Sequence, residues 1–202
     1  VAAALRQIEI LEEKDFHNIV ISLKSSNVNT AYWACMMLAE KIDCPFHLGI
    51  TESGTLTTGT IKSSVGLGAL LINGIGDTIR VSLTADPIEE IRVGKAILKS
   101  LELKKEGVEV ISCPTCGRCQ IDIIPLAESI EKKTRHYKTP LKVAVMGCVV
   151  NGPGEASVAD IGIAGGDGFG ILFKKGQIVG KVDECDLEST LLKEIELMTG
   201  GV

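Results

Sequence analysis

A surplus of positive charge is missing from this sequence, which carries a formal net charge of −5. No basic field is present to hold a nucleic-acid backbone or an anionic membrane, so a polyanionic small molecule would have to be met by local cations. A membrane-length apolar run is missing too. The longest, Val65 to Ile75, is about half a span, is interrupted by Gly66, Gly68 and Asn73, and is expected to be a buried helix. No signal-peptide pattern opens the chain, so its seven cysteines are expected to be reduced cytosolic thiols or metal ligands rather than a disulfide framework. The three histidines, His17, His47 and His136, stand in no ligand spacing relative to those thiols, which weakens the case for a zinc site and leaves zinc as the second choice. The run Gly54 to Gly59 imitates a phosphate loop, but Thr60 occupies the position of its lysine, which excludes a nucleotide site of that kind. Internal repeats and low-complexity segments are lacking. With 202 residues, 45% of them apolar, there is ample material for the core of one large domain or two small ones, and disorder is not expected.

The chemistry concentrates in CPTCGRC at 113–119 and MGCVVNGPGE at 146–155. Cys113, Cys116, Cys148 and Glu155 have the spacing of ligands for one inorganic site. A C-x-x-C pair places two sulfurs within reach of one centre, and a lone cysteine about thirty residues on joins them if both motifs follow strands at the same sheet edge. Both do follow strand-like runs, 108–111 and 141–145, and Gly147, Gly152, Pro153 and Gly154 offer close backbone approach. Taken singly, each cysteine reads as a small buried hydrophobe. Cys113, Cys116 and Cys119 match the first three positions of a bacterial ferredoxin run, but the fourth falls on Ile123 and the template breaks.

Along the chain, 1–15 reads as a helix with Leu5, Ile8 and Leu11 on one face, starting without a cap as though something precedes it. Strands are expected at 18–23, 46–50 and 77–83, the first near-continuously apolar as in parallel sheets, with helices at 28–42, 60–71 and from 87 onward. Cys35 falls on the apolar face of the second helix and is expected in the core. Asp86, Pro87 and Glu89 form a helix start, with Ile88, Ile91, Leu98 and Leu101 as the expected buried stripe. Beyond a boundary in the turn 104–107 the pattern changes to an α+β domain: a strand at 108–112, a helix at 122–135, a strand at 141–147, short strands at 160–164, 170–173 and 177–182, and a last helix from Asp186. Lys24, Glu52, Arg80 and Ser82 lie at or near C-terminal strand ends, where α/β barrels build their sites. A guanidinium inside an apolar strand calls for an anion, and the simpler alternative for Arg80 is a salt bridge to Asp77 or Glu52. Lys24 is otherwise a solvated strand end.

These motifs, with HLGITESG, IKSSVG and GIGDTIRVSL upstream, closely resemble the 4-hydroxy-3-methylbut-2-enyl diphosphate synthase family of isoprenoid biosynthesis by the non-mevalonate pathway, over nearly the whole chain. The resemblance implies an α/β plus α+β fold. Residues 1–103 would be the last three strand-helix units of a TIM (β/α)8 barrel, and 104–202 a small iron-sulfur domain resembling the sulfite and nitrite reductase fold. It implies a [4Fe-4S] cluster on Cys113, Cys116, Cys148 and Glu155, diphosphate contacts from Lys24, Arg80 and Ser82, a substrate contact from Asn151, and a catalytic carboxylate at Glu52, as proton donor or electrostatic stabiliser. The implied reaction is reductive ring opening of 2-C-methyl-D-erythritol 2,4-cyclodiphosphate with electrons from reduced ferredoxin or flavodoxin, in a head-to-tail homodimer, in bacterial cytoplasm or plastid stroma. Three units do not close a barrel, so the chain by itself is expected to bind a cluster without turning over. A non-catalytic electron-transfer module and a zinc-stabilised domain are the alternatives.

Overall fold

The computed structural model describes residues 1–150, 154 and 158–200. The fold is of the α/β class, and the chain divides into two compact units, Val1–Lys104 and Lys105–Val202.

In the first unit, helices α1 (Ala2–Glu12), α2 (Val28–Ala39), α3 (Leu56–Ile72) and α4 (Pro87–Ser100) accompany strands β1 (His47–Gly49) and β2 (Thr78–Arg80). The strands pair in parallel, His47 opposite Thr78 and Gly49 opposite Arg80. The strand expected at 18–23 shrinks to one parallel bridge, Ile21 to Phe46. Its two hydrogen bonds run from Ile21 N to Pro45 O (2.8 Å) and from His47 N to Ile21 O (2.7 Å). The ladder stops there because Pro45 has no N–H to give to the carbonyl two residues earlier, and the Ile19 N–H turns to His17 O instead. Phe46, Leu48 and Val81 point to the helices and form a core with Cys35, Leu38, Leu67, Leu70, Val93 and Ile97. Asp86 caps α4 by accepting from Ile88 N at 2.9 Å. The helix buries Val93 and Ile97, however, and leaves Ile88 and Ile91 at 59% and 63% exposure, so the N-terminal half of the expected stripe is rotated off the core while Leu101 still packs on it. α4 has apolar residues on two sides, and periodicity alone does not choose between them. α3 likewise buries Leu67 and Leu70 while exposing Val65 and Ile72, so it is only half the buried helix that its hydropathy suggests.

The second unit is a five-stranded mixed sheet in the order β3 (Val108–Ser112), β4 (Leu141–Met146), β5 (Ile161–Gly165), β6 (Phe169–Lys174), β7 (Gln177–Asp183). The first three strands run parallel and the last two are joined as antiparallel neighbours. Helices α5 (Ile123–Thr134) and α6 (Leu187–Thr199) pack on one face, where Val143, Val145, Ile161 and Ile163 meet Ile130, Leu187, Leu191 and Ile195. On the other face lie Ala144, Met146, Ala164 and Phe173. This two-sided burial of β4 and β5 explains why their sequences are apolar apart from Lys142. The two helices are pinned together by Glu188, which accepts from Lys133 Nζ at 2.7 Å and from the Ser129 hydroxyl. These donors hold its carboxyl below the usual carboxylate range. A depressed acid contributes stability above its ordinary pKa that is lost as pH falls through the folded value. Glu188→Gln is therefore expected to lower stability by about 1 kcal/mol at neutral pH, with the difference from wild type closing as urea unfolding is repeated below about pH 4.5.

Candidate active site and metal centre

In the first unit, strand alternation gives the side of the sheet opposite the helices to polar groups: Ser22 and Lys24, His47 and Gly49, Thr78, Arg80 and Ser82. Lys24 lies across Gly49, whose missing side chain makes the room; a Cβ there would stand 3.2 Å from Lys24 Cε and 3.1 Å from Arg80 O. Arg80 gives Nε and Nη2 to the Ser82 hydroxyl at 3.1 and 2.9 Å, which orients the guanidinium at the end of β2. The salt bridge considered for Arg80 does not form. Asp77 instead accepts from Phe46 N at 2.7 Å, and Glu52 makes no ion pair with it. Among the described residues neither Lys24 nor Arg80 has a carboxylate partner. Partial desolvation, and then the nearby guanidinium, push the Lys24 ammonium below its ordinary pKa. Two cations held close without a counter-charge make a receptor for an anion.

Glu52 follows β1 with φ +52°, a left-handed conformation for a residue with a side chain. The other positive-φ residues that are not glycine, Asp15, Glu102 and Lys175, occupy turns after helix ends or at a strand hairpin, whereas Glu52 occupies the loop at the C-terminal end of β1. That loop is tied down by Ser53, buried, which donates to Ile50 O at 3.0 Å and receives the Ser63 hydroxyl at 3.3 Å. His47 is the residue that sequence reasoning missed. The available signal was its place at the start of an HLG strand, two positions before the glycine beneath Lys24.

In the second unit, β3 and β4 run side by side with Ser112 opposite Val145, so the two cysteine-bearing loops leave the same edge of the sheet. Gly147 joins them. Its N–H donates to Cys113 Sγ at 3.2 Å, and its carbonyl receives the Gln120 N–H at 2.8 Å. The C-x-x-C loop is tightened by Cys119 N donating to Cys116 O at 3.0 Å. Cys116 is exposed, Cys113 and Cys148 are half-buried, and all three thiols are free. Cys119 is engaged differently: its thiol donates to Ile121 O at 3.2 Å, and any Cβ at Gly147 would meet its sulfur at 2.5 Å, while both Cys113 and Cys119 pack against the core. Among the described residues no three Cys, His, Asp or Glu side chains converge closely enough to hold a metal ion. Asn151 and Glu155 lie outside the described residues. By donor type the site suits an iron-sulfur cluster, with thiols at adjacent strand ends and a backbone N–H already directed at one sulfur, as such clusters favour.

Comparison with known proteins bears on both sites. Residues 1–95 match the family description GcpE TIM-barrel domain and residues 109–197 match GcpE protein C-terminal domain. Curated relatives include the 4-hydroxy-3-methylbut-2-en-1-yl diphosphate synthase (flavodoxin) of Caldanaerobacter subterraneus, 62% identical over 98% of this chain and 56% of the relative. The enzymes of the same name from Clostridium perfringens and Geobacter sulfurreducens are 60% and 57% identical, each over 97% of this chain and 56% of the relative. The chain thus spans a little over half the length of these relatives.

Proposed function

We infer the function of this chain from one premise: it belongs to the GcpE family. We propose that, in a protein of its relatives' full length, it supplies the diphosphate-binding end of a TIM barrel (1–103) and an iron-sulfur domain (104–202). The whole would open the ring of 2-C-methyl-D-erythritol 2,4-cyclodiphosphate to 4-hydroxy-3-methylbut-2-enyl diphosphate. The observation that carries this reading is the uncompensated pair Lys24 and Arg80 beside Ser82, which suits a doubly phosphorylated substrate and has no task in a plain electron-transfer module. The relatives' names point to flavodoxin as electron donor, with ferredoxin as the chemical equivalent, and a head-to-tail homodimer belongs to the same proposal.

Cys113, Cys116, Cys148 and Glu155 would hold a [4Fe-4S] cluster. When bound, the cluster supplies single electrons and, through the weaker carboxylate ligand, an iron with an exchangeable position. The chain's own side chains do the remainder. Lys24 neutralises diphosphate charge as a point cation, Arg80 grips phosphate oxygens in a fork, and Ser82 holds that fork in place. Glu52, in its strained loop, gives the proton with which the departing hydroxyl leaves as water, or stabilises the charge that develops as the ring opens, and Asn151 contacts substrate. No helix among the described residues is long and apolar enough to cross a membrane, which suits a bacterial cytoplasmic enzyme.

The test is an anaerobic assay of the full-length protein with reduced flavodoxin and the cyclic diphosphate. Arg80→Lys is expected to weaken substrate binding by about 1–3 kcal/mol despite its retained charge, because an ammonium cannot bind two oxygens in a plane; Lys24→Arg is expected to be milder. Equal affinity in wild type and Arg80→Lys would return Arg80 to a structural role and remove the proposal's main support.

A further inference from the structure

The proposed site uses Lys24, Arg80 and Ser82 and gives His47 nothing to do, although His47 is held on the same face. Its ring Nδ1 lies 2.8 Å from Thr78 Oγ1, its partner in the parallel register. Its carbonyl accepts the Ser22 hydroxyl at 2.9 Å, so ring and backbone are both tied. Among the described residues the ring makes no other hydrogen bond, which leaves Nε2 unpartnered. Burial, and then Lys24 and Arg80, disfavour the imidazolium. A neutral imidazole has one donor and one acceptor nitrogen, and the hydrogen bond to one decides the role of the other. If the Thr78 hydroxyl donates to Nδ1, the ring proton sits on Nε2 and points a third donor at the face that the two cations line. An uncharged donor also suits the place. A third full charge would add to the repulsion that the empty site already contains, whereas a neutral N–H adds a hydrogen bond without it.

We propose that His47 is an anion-binding residue of this site, donating from Nε2 to a phosphate oxygen of the bound diphosphate in a tautomer set by Thr78. The inference rests on the reading of Lys24 and Arg80 as a diphosphate receptor, and its test keeps the two apart.

Inorganic pyrophosphate is titrated calorimetrically into the full-length protein at pH 7.5. A glutamine amide reaches the place of Nε2 and an asparagine amide reaches only that of Nδ1. His47→Gln is therefore expected to stay within about threefold of wild type, while His47→Asn and His47→Ala weaken binding about tenfold, the loss of one hydrogen bond to a charged group. Thr78→Val, which keeps the ring, is expected to weaken binding about threefold, and long-range proton-nitrogen spectra of the wild type are expected to show the proton on Nε2. Wild-type affinity in His47→Ala with loss in Arg80→Ala would overturn the role of His47 alone. Wild-type affinity in both would overturn the diphosphate receptor itself. Equal loss in His47→Gln and His47→Ala, or a ring protonated on Nδ1, would show that Nε2 is not the donor.

Discussion

Cys148→Ser is expected to empty the metal centre of iron in anaerobically prepared protein, while Cys119→Ala is expected to leave a full complement of four iron atoms. By metal chemistry Cys119 is the tempting ligand, being the third sulfur of C-x2-C-x2-C and a softer donor than any carboxylate. Its surroundings argue otherwise. Its sulfur is engaged with Ile121 O and occupies the space above Gly147 that a side chain there would need. Cys113 already receives an N–H from Gly147, and Cys116 is exposed at the loop edge. For the fourth ligand the spacing favours Glu155, seven residues after Cys148. Glu155→Ala should then give a labile or three-iron species. Glu155→Cys should keep the cluster and slow reduction of substrate, because a thiolate gives up its place on iron less readily. Iron content and low-temperature electron paramagnetic resonance decide between these outcomes. Loss of iron in Cys119→Ala with Glu155→Ala unaffected would reverse the assignment.

Gly162→Ala is expected to cost about 3 kcal/mol, the upper part of the range for overpacking a core, and Gly162→Val to prevent stable folding of the second unit. Gly162 sits in β5 between Ala144 of β4 and Phe173 of β6, both fully buried. A Cβ there would come within 2.4 Å of the Phe173 ring, 2.7 Å of the Ala144 side chain and 2.7 Å of the Ala144 carbonyl oxygen. The ring has some freedom to move, but the neighbouring strand's backbone has none without breaking ladder bonds. Phe173→Leu combined with Gly162→Ala should recover part of the loss, since the two sites share the same space and their effects are not additive. Chemical unfolding followed by tertiary-structure signals tests this. Wild-type stability in Gly162→Ala would mean that the sheet face around Phe173 is far looser than the packing indicates.

Much of this protein was legible in its sequence because the deciding forces there are local. Asp86 followed by Pro87 starts a helix through its own cap and a preset backbone angle, and no distant residue is needed. The strands expected at 141–147 and 160–164 form close to their expected bounds, because short apolar runs between turn residues mark strands locally. Arg80 stands at the C-terminal end of β2 as its sequence suggested, whereas Lys24 follows a single bridge rather than a strand. What only the tertiary structure decided depends on which surface meets which. Ile88 and Ile91 are as apolar as Val93 and Ile97, and only packing shows which pair faces the core. The segment 18–23 has the composition of a strand, yet a proline in its neighbour ends the ladder after one bridge. Cys119 has a ligand's spacing and a core residue's surroundings. His47 meets Thr78 beside two cations only through parallel pairing, a relation between strands about thirty residues apart that no local pattern records.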